Sequence, residues 1–302
     1  MQSELLADVL AVLDVRATEI TVLKDLPYGN RCWLVQGFRG DALVLRRYHD
    51  LAAHEDLVYE HAVLRHLADH GWVVPDPIGE LVHHAGGWWC LTRFVPGGPV
   101  RDETTDQRRR RGRDLALLHL ALRGLEGHLG QRPGWQAQHT AVSVHTDINW
   151  DAALRRFARV HPRLADWAYS AAVDARRVLG AIGTDGLPTL VVHGDFHEGN
   201  VHYDRAGLAG VIDFGLTHVD SRPYELAIAR TYRAPEAVDA YREALARSDW
   251  PLIDVEEAAI EPIHHAFRTD MVAWQLDHGG RVGVYDTAMI ERQLLRTPTP
   301  PP

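Results

Sequence analysis

Residues 189–215 read TLVVHGDFHEGNVHYDRAGLAGVIDFG, and this segment is the most informative part of the sequence about its fold. Its apolar beginning predicts a short strand that runs into the loop HGDFHEGN, and the residues after the loop predict a hairpin that ends in the triplet DFG. Asn200 lies five residues after Asp195, and Asp213 lies thirteen residues after Asn200. The sequence therefore predicts that these three oxygen-bearing side chains converge.

The two motifs HGDFHEGN and VIDFG occur at the separation that protein-kinase-like enzymes use. Together they resemble the aminoglycoside phosphotransferase family, small-molecule kinases with a protein-kinase-like fold whose loop reads HGD-x-x-x-x-N. Further segments agree with the family in the same order along the chain: PYGN, RCWLV, LRRY, YEHAVLRHL, VPGG and LALLH. The resemblance covers roughly residues 20–230 and implies the transfer of a phosphate from ATP, or another nucleoside triphosphate, to a hydroxyl group.

The fold that we predict is α+β and bilobal, with the protein-kinase-like arrangement. Short β-rich runs broken by turn signals, with a helical stretch at 51–70, indicate a small N-terminal lobe with an antiparallel sheet and one helix. The first residues add an amphipathic helix ahead of that sheet. Helical spacing indicates a larger, mainly helical C-terminal lobe, with helices at 105–125, 152–180, 224–247 and 253–278.

Two domains follow from this pattern. Residues 1–95 are expected to form a nucleotide-binding lobe, and residues 96–302 are expected to form a catalytic and substrate-binding lobe. The tail TPTPPP at 297–302 cannot pack regularly and is expected to be disordered.

Phosphoryl transfer needs positioning and charge neutralisation more than covalent help. Asp195 is expected to accept the proton of the substrate hydroxyl, while Asn200 and Asp213 offer hard oxygen ligands for Mg²⁺. His197 either donates to the moving phosphoryl group or fixes the loop through a local hydrogen bond. The structural alternatives are a turn-capping role for Asp195 and a polar pair in a hairpin for the other two.

The cation that binds the phosphates is expected to be Arg46, at the position of the lysine on the third strand of kinases. Val44 and Arg46 share one face of that strand, and Arg47 faces the other way, although either arginine can be aligned with the lysine. Glu60 resembles the acidic partner of this cation, because a carboxylate accepts the two-pronged guanidinium well. The alternative for Glu60 is a solvated helix face.

Two further segments have only backbone groups to offer a nucleotide. Gly29 and Asn30 lie where kinases cover the phosphates, but the segment DLPYGNRC has a single glycine and no motif. The resemblance implies an adenine-binding hinge at Arg93 and Val95, which is equally a plain interlobe linker.

The acceptor substrate is expected to bind after the hinge, where such enzymes diverge. Asp270, Trp274 and Asp277 recur at i, i+4 and i+7 and predict a wall of carboxylates and one aromatic ring for a polar or cationic substrate. Trp135 is a further candidate, from the segment 125–150, whose role the sequence leaves open. The alternative is ordinary helix packing.

Composition excludes several functions. A net charge of −9 and a pI near 6.1 disfavour a nucleic-acid partner, because phosphate backbones require a basic surface. No apolar stretch is long enough to span a membrane, and the first residues do not resemble a secretory signal, so we expect a cytoplasmic protein. The only lysine, Lys24, is followed by Asp25, which excludes a P-loop. The oligomeric state stays open.

We therefore predict an ATP- and Mg²⁺-dependent kinase for a hydroxyl-bearing small molecule. Antibiotic resistance by phosphorylation is the favoured use. The alternative is a metabolic kinase for homoserine, choline or a sugar, and a further alternative is a catalytically inactive, pseudokinase-like binding module. The joint presence of Asp195, Asn200 and Asp213 argues against the inactive module, because a binding protein does not need all three.

Overall fold

The computed structural model describes residues 2–25, 30–37, 40–50, 52–182, 186–232 and 234–295. The chain forms two compact units. Unit 1 comprises residues 1–102 and 198–215, and unit 2 comprises residues 103–197 and 216–302. This division differs from the predicted boundary after residue 95, because the segment 96–102 and the hairpin after the HGD loop belong to the first unit.

The helices and strands follow the predicted pattern closely. The helices are α1 (Gln2–Val12), α2 (His54–Asp69), α3 (Thr105–Leu122), α4 (Glu126–Leu129), α5 (Trp150–Ala158), α6 (Pro162–Ala181), α7 (Arg222–Thr231), α8 (Pro235–Leu245), α9 (Asp254–Val282) and α10 (Thr287–Leu294). The strands are β1 (Ala17–Asp25), β2 (Arg31–Gly37), β3 (Ala42–Arg47), β4 (Pro77–His84), β5 (Gly87–Arg93), β6 (Gly98–Pro99), β7 (Thr189–Val192), β8 (Val201–Tyr203), β9 (Leu208–Val211) and β10 (His218–Ser221).

Unit 1 is built on a five-stranded antiparallel sheet with the order β1-β2-β3-β5-β4. Alternation along β3 places Leu45 on one face and Arg46 on the other. The Leu45 face packs against the apolar side of α1, where Val9 and Leu10 are buried. The unit therefore contains α1 as well as the helix predicted for the small lobe.

A second, three-stranded sheet of unit 1 has the order β6-β8-β9. Its last two strands form the hairpin between the HGD loop and the DFG triplet, with Val201 opposite Val211. The amide of Val211 donates a 3.0 Å hydrogen bond to the carbonyl of Val73. This hairpin is thus attached to the N-terminal part of the chain, although it is more than a hundred residues away in sequence.

Unit 2 is mainly helical, with α9 buried against α5, α6, α7 and α10. Strand β7 lies in this core, with Leu190, Val191 and Val192 all buried, and pairs antiparallel with β10. Two of the predicted helices, 152–180 and 224–247, are each divided at a proline, since α6 begins at Pro162 and α8 begins at Pro235. Proline suits the first turn of a helix, where its missing N–H costs nothing. In the described part of the chain, no helix has the length and apolar character needed to cross a membrane.

Helices α3 and α8 approach closely at Gly112, where an added Cβ would collide with the carbonyl oxygen of Ala237 and lie 2.7 Å from its carbonyl carbon. We predict that Gly112→Ala lowers the free energy of unfolding by about 3 kcal/mol, because two backbones must separate. Urea denaturation measures the change. Gly180→Ala in α6 is the control, since open space surrounds its Cβ position. It should stabilise the protein by about 0.5–1 kcal/mol. Equal effects of the two substitutions would contradict the close approach.

Candidate active site

The loop 193–200 begins where β7 ends, and a buried carboxylate holds its first backbone amides. Oε2 of Glu225 in α7 accepts a 2.9 Å hydrogen bond from the amide of His193, and Oε1 accepts a 3.1 Å bond from Gly194. Burial raises the pKa of Glu225, but the His119 side chain and the amide and charge of His193 outweigh it, so that the pKa is below its usual value. Glu225 therefore stays ionised and fixes the start of the loop.

The interactions of Glu225, which we call the loop anchor, extend to one residue each of α3 and α8. His119 Nε2 in α3 lies 3.5 Å from Oε2 of Glu225, and His119 Nδ1 is 2.8 Å from the hydroxyl of Tyr241 in α8. All three side chains are buried. Sequence reasoning missed Glu225 and His119. The only signal was an acidic residue within the otherwise apolar run YELAIA.

Gly194 has a conformation that other residues rarely adopt, with φ of +88°. An added Cβ would collide with the carbonyl oxygen of Leu216 and lie 2.6 Å from its carbonyl carbon. The glycine of the HGD triplet is thus required by the close passage of the segment that precedes β10.

Asp195 and His197 meet within unit 2. Asp195 Oδ2 lies 3.4 Å from Nε2 of His197, and both side chains are partly exposed. The His197 ring stacks on Tyr232, with the ring centroids 4.5 Å apart and the planes inclined by 20°. The amide of Asp195 donates a 3.1 Å hydrogen bond to Nδ1 of His193. Both predicted catalytic side chains are therefore oriented by neighbours of the same unit.

Asp195 lines a cavity of about 280 Å³ in unit 2. Aromatic and methionine side chains form most of its wall: Trp135, Tyr224, Tyr232, Phe267, Met271, Trp274 and Met289. Its other polar side chains are His145 and Asp270. Two larger cavities, of about 430 and 350 Å³, lie along residues 140–151 beside Arg176 and contain no predicted site residue. Of these three cavities, the one at Asp195 matches the chemistry, because it combines a candidate catalytic carboxylate with an enclosing wall.

Asp270 is 6% exposed at this cavity. Burial raises its pKa to about 7, although hydrogen bonds from the Ser143 hydroxyl and the Val144 amide partly oppose the increase. No residue that the structure describes donates a hydrogen bond to its Oδ1 atom.

The predicted substrate wall is only partly assembled at the cavity. Trp135, Asp270 and Trp274 line it, whereas Asp277 is not among the lining residues. Asp277 instead accepts hydrogen bonds from Arg156 and Arg281, at 3.3 and 2.7 Å. Trp274, one helical turn after Asp270, lines the same cavity. Asp277, seven residues after Asp270, lies next to Arg156 of α5 instead.

Unit 1 pairs the two residues expected to bind phosphates. Arg46 Nη1 donates a 2.6 Å hydrogen bond to Oε1 of Glu60, and the guanidinium carbon lies 4.4 Å from the centroid of the Tyr48 ring. Burial lowers the pKa of Arg46, but Glu60, Tyr48 and Asp213 outweigh it and raise the pKa above its usual value. Arg47 points to the other face, where it contacts Asp50 at 2.8 Å. Arg46 is therefore the arginine paired with Glu60.

The β8–β9 hairpin brings Asn200 and Asp213 to adjacent ends of two strands. The amide of Ile212 donates a 2.9 Å hydrogen bond to the carbonyl of Asn200. Asp213 has a positive φ of 65°, an uncommon conformation for a residue other than glycine and one often found at functional sites. A Cβ added to Gly215 would lie 3.6 Å from Oδ1 of Asp213 and 3.7 Å from Nη2 of Arg46. Both side chains therefore point to one location.

The side chains of Asn200 and Asp213 have oxygen atoms that suit a hard cation. Asn200 and Asp213 present an amide and a carboxylate oxygen, and Mg²⁺ typically takes only one or two such protein ligands in addition to phosphate oxygens and water. Among the described residues, no cluster of three His, Cys, Asp or Glu side chains could hold a metal alone. Asn200 and Asp213 could thus supply two protein ligands to a cation whose other ligands come from elsewhere.

The remaining nucleotide candidates are less well placed. Asn30 Oδ1 accepts a 3.1 Å hydrogen bond from the amide of His49, and Gly29 lies outside the described residues. The amide of Arg93 donates a 2.9 Å hydrogen bond to Asp76, so it is not a vacant donor for an adenine. Val95 is buried.

Replacing the loop anchor provides a test of its role. Glu225→Gln has a single acceptor oxygen for two backbone amides, and its NH₂ group must face one of them. We predict that the free energy of unfolding falls by about 1–3 kcal/mol and that the amides of His193 and Gly194 exchange faster with deuterium. Glu243→Gln, which alters a carboxylate paired with Arg109 on the surface, is the control and should leave the free energy of unfolding and the exchange of these amides nearly unchanged. Unchanged exchange at the two loop amides would contradict the anchor.

Comparison with known proteins agrees with the sequence resemblance. The phosphotransferase enzyme family (APH) matches residues 25–258. A homoserine kinase of Phenylobacterium zucineum is 29% identical over 279 residues, which cover 84% of this chain and 81% of the relative. A homoserine kinase of Xanthobacter autotrophicus is 29% identical over 207 residues, which cover 66% of this chain and 60% of the relative.

Solved structures share the fold over nearly the whole chain. The aminoglycoside phosphotransferase APH(4)-Ia has a TM-score of 0.65 and 16% identity, covering 99% of this chain and all of its own. The amicoumacin kinase hAmiN, in complex with AMP-PNP, Ca²⁺ and amicoumacin, has a TM-score of 0.64 and 16% identity, covering 99% and 97%. The predicted α+β, protein-kinase-like fold is thereby confirmed. With most of its length matched, the chain belongs to the phosphotransferase enzyme family and is a small-molecule kinase.

Proposed function

We propose that this kinase transfers the γ-phosphoryl group of ATP, with Mg²⁺, to a hydroxyl of a compact metabolite. The observation that carries the proposal is the position of Asp195 in the wall of a cavity of about 280 Å³. Ligand pockets of about 300–1,000 Å³ hold drug-sized molecules, so this one suits a smaller acceptor.

Asp195 is the proposed acceptor of the hydroxyl proton. A carboxylate within hydrogen-bond reach of an alcohol can take its proton as the new O–P bond forms. His197 is proposed to hold Asp195 in place, because its Nε2 is 3.4 Å from the carboxylate and its ring is fixed against Tyr232. Glu225 and Gly194 position the backbone from which both side chains extend.

The nucleotide side of the reaction is assigned to unit 1. Arg46 is proposed to bind phosphate oxygens while Glu60 fixes the guanidinium, and Asn200 and Asp213 are proposed to hold Mg²⁺. When bound, the metal would neutralise charge on the phosphates. Arginine keeps its charge under all ordinary conditions and can bind two phosphate oxygens at once, so it can replace the lysine of other kinases.

A metabolic substrate is favoured over an antibiotic. The two homoserine kinases support a metabolic role, because they match this chain over most of its length. The structural neighbours that act on antibiotics are less than 25% identical and support the fold alone. Antibiotic resistance and the cytoplasmic location stay predictions. The inactive binding module is disfavoured, because a binding protein does not need Asp195, Asn200 and Asp213 together in its sequence.

Asp195→Asn tests the proposed base. We expect the turnover number to fall by about 10²–10⁴-fold while ATP binds with unchanged affinity, because only the proton acceptor is lost. ATP consumption during a screen of hydroxyl-bearing metabolites gives the rate, and calorimetry gives the affinity. Asp174→Asn, a partly exposed carboxylate on α6, is the control and should keep full activity. Full activity of Asp195→Asn would remove Asp195 from the mechanism.

Asp213→Ala tests the proposed metal site. We expect nucleotide binding to lose its dependence on Mg²⁺, because the principal anionic ligand is missing. Calorimetric titration of ATP with and without Mg²⁺ measures this dependence. Asp204→Ala is the matched control, since Asp204 lies in the same hairpin and accepts hydrogen bonds only from turn amides. A preserved Mg²⁺ dependence in Asp213→Ala would place the metal elsewhere.

A further inference from the structure

Arg46 of unit 1 is held by its carboxylate partner at one nitrogen atom. Its Nη1 atom donates a 2.6 Å hydrogen bond to Oε1 of Glu60, and among the described residues no other side chain accepts a hydrogen bond from it. A guanidinium has several N–H donors in one plane, and a single hydrogen bond lets that plane turn. The pair with Glu60 therefore fixes one nitrogen atom of Arg46 and leaves the plane of the guanidinium undetermined.

The ring of Tyr48 supplies the missing constraint. Tyr48 lies two residues after Arg46, so the alternation of strand β3 puts both side chains on one face of the sheet. The guanidinium carbon of Arg46 lies over the Tyr48 ring, 4.4 Å from its centroid. A guanidinium this close to an aromatic face is attracted by the electrons of the ring and has little room to turn. Tyr48 therefore restricts the plane that Glu60 leaves undetermined.

Tyr48 is itself held by two neighbours within unit 1. Its hydroxyl lies 2.8 Å from Nε2 of His61 on α2, and Sγ of Cys90 on β5 donates to the hydroxyl oxygen at 3.5 Å. All three side chains are buried. Burial lowers the pKa of His61 to about 4, so its ring is neutral near neutral pH and Nε2 can accept the hydrogen bond from Tyr48. His61 directly follows Glu60, so consecutive residues of α2 hold Tyr48 and Arg46.

The orientation of the guanidinium matters because of what its other edge faces. A Cβ added to Gly215 would lie 3.7 Å from Nη2 of Arg46 and 3.6 Å from Oδ1 of Asp213. Nη2 is thus directed towards the DFG triplet, while Nη1 is occupied by Glu60. The Arg46 side chain remains 12% exposed, so a ligand can reach it. Rotation of the guanidinium would turn Nη2 away from this location.

We propose that Tyr48 is a positioning residue for phosphate binding: its ring sets the plane of the Arg46 guanidinium, and His61 holds the ring in place. The nucleotide site of this chain is therefore built for a guanidinium, and the Arg46→Lys change is not conservative, because an ammonium group has no plane for a ring to orient. The inference rests on the proposed function, since it concerns how Arg46 binds the phosphates of ATP.

A double-mutant cycle on ATP affinity tests the coupling of Arg46 and Tyr48. Arg46→Lys keeps the positive charge and can keep the pair with Glu60, yet we expect it to weaken ATP binding about tenfold. Tyr48→Leu should weaken binding by a similar factor. The double variant should bind about as weakly as either single variant, because the ring then has no guanidinium to orient. Calorimetry measures the four affinities, and a loss of about a hundredfold in the double variant, as independent effects give, would overturn the proposal.

Two further variants separate the ring from its surroundings. Arg47→Lys is the matched control, because Arg47 also lies near a ring, 5.9 Å from the centroid of Trp89, but on the other face of β3. It should leave ATP affinity unchanged. Tyr48→Phe keeps the ring and should stay within about threefold of the wild-type affinity. Equal losses in Tyr48→Phe and Tyr48→Leu would contradict the role of the ring.

Melting temperature distinguishes positioning from packing. Tyr48 is buried, so Tyr48→Leu should lower the melting temperature whatever its role. Affinity is therefore measured well below the melting temperature of each variant. A Tyr48→Leu protein that is less stable but binds ATP as well as the wild type would show a packing role alone and overturn the proposal.

NMR signals of the Arg46 side chain test the orientation without nucleotide. Protons above an aromatic face are shifted to high field by the ring current. The guanidinium protons of Arg46 should show this shift in the wild type and in Tyr48→Phe, and should lose it in Tyr48→Leu. Wild-type signals without the shift would overturn the proposal, and that result does not depend on any variant being folded.

These readouts distinguish failure of the inference from failure of the proposed function. If ATP binds with its Mg²⁺ dependence but the cycle is additive, the kinase function stands and the positioning role of Tyr48 is wrong. If the wild-type protein does not bind ATP, the proposed function fails and this inference fails with it.

Discussion

The buried hydrogen-bond cluster around Glu225 is the interaction on which the loop 193–200 depends. One buried carboxylate accepts the amides of His193 and Gly194, and His119 and Tyr241 extend the cluster into two further helices. Backbone amides that follow the end of a strand have no acceptor in a neighbouring strand, so they need one from another part of the protein. Glu225 of α7 accepts the hydrogen bonds of these amides from within the core. The backbone next to Asp195 is therefore fixed, although the Asp195 side chain itself is partly exposed.

Each unit buries a charged side chain at the candidate active site, but the neighbours of the two side chains differ. In unit 1 the guanidinium of Arg46 is buried against Glu60, and nearby acidic groups keep it charged. In unit 2 the carboxyl of Asp270 is buried without a cationic partner, and its pKa rises accordingly. Burial beside an opposite charge therefore preserves the ionised form of Arg46, whereas burial away from a strong cation favours the neutral form of Asp270.

Local pattern was sufficient to predict most of the fold. Alternation and turn signals gave the five strands of the sheet, and the spacing of HGD, Asn200 and DFG gave the hairpin. Prolines set the helix boundaries that periodicity missed, at Pro162 and Pro235. Helical spacing could not separate Asp270 from Asp277, because a tertiary hydrogen bond from Arg156 of α5 holds Asp277 away from the cavity. Glu225 and His119 escaped prediction because their meeting is a tertiary contact, more than a hundred residues apart in sequence.

Unit 1 is discontinuous, since the hairpin 198–215 joins strands made from the first hundred residues. During synthesis the N-terminal sheet therefore emerges well before the hairpin that completes its unit, and the intervening helices must be made in between. Domains tend to fold as units in the order in which they are synthesised. The segment that contains Asn200 and Asp213 can thus join this unit only after the five-stranded sheet has been synthesised, and a ribosome-stalled chain ending before residue 198 would carry Arg46 and Glu60 without them.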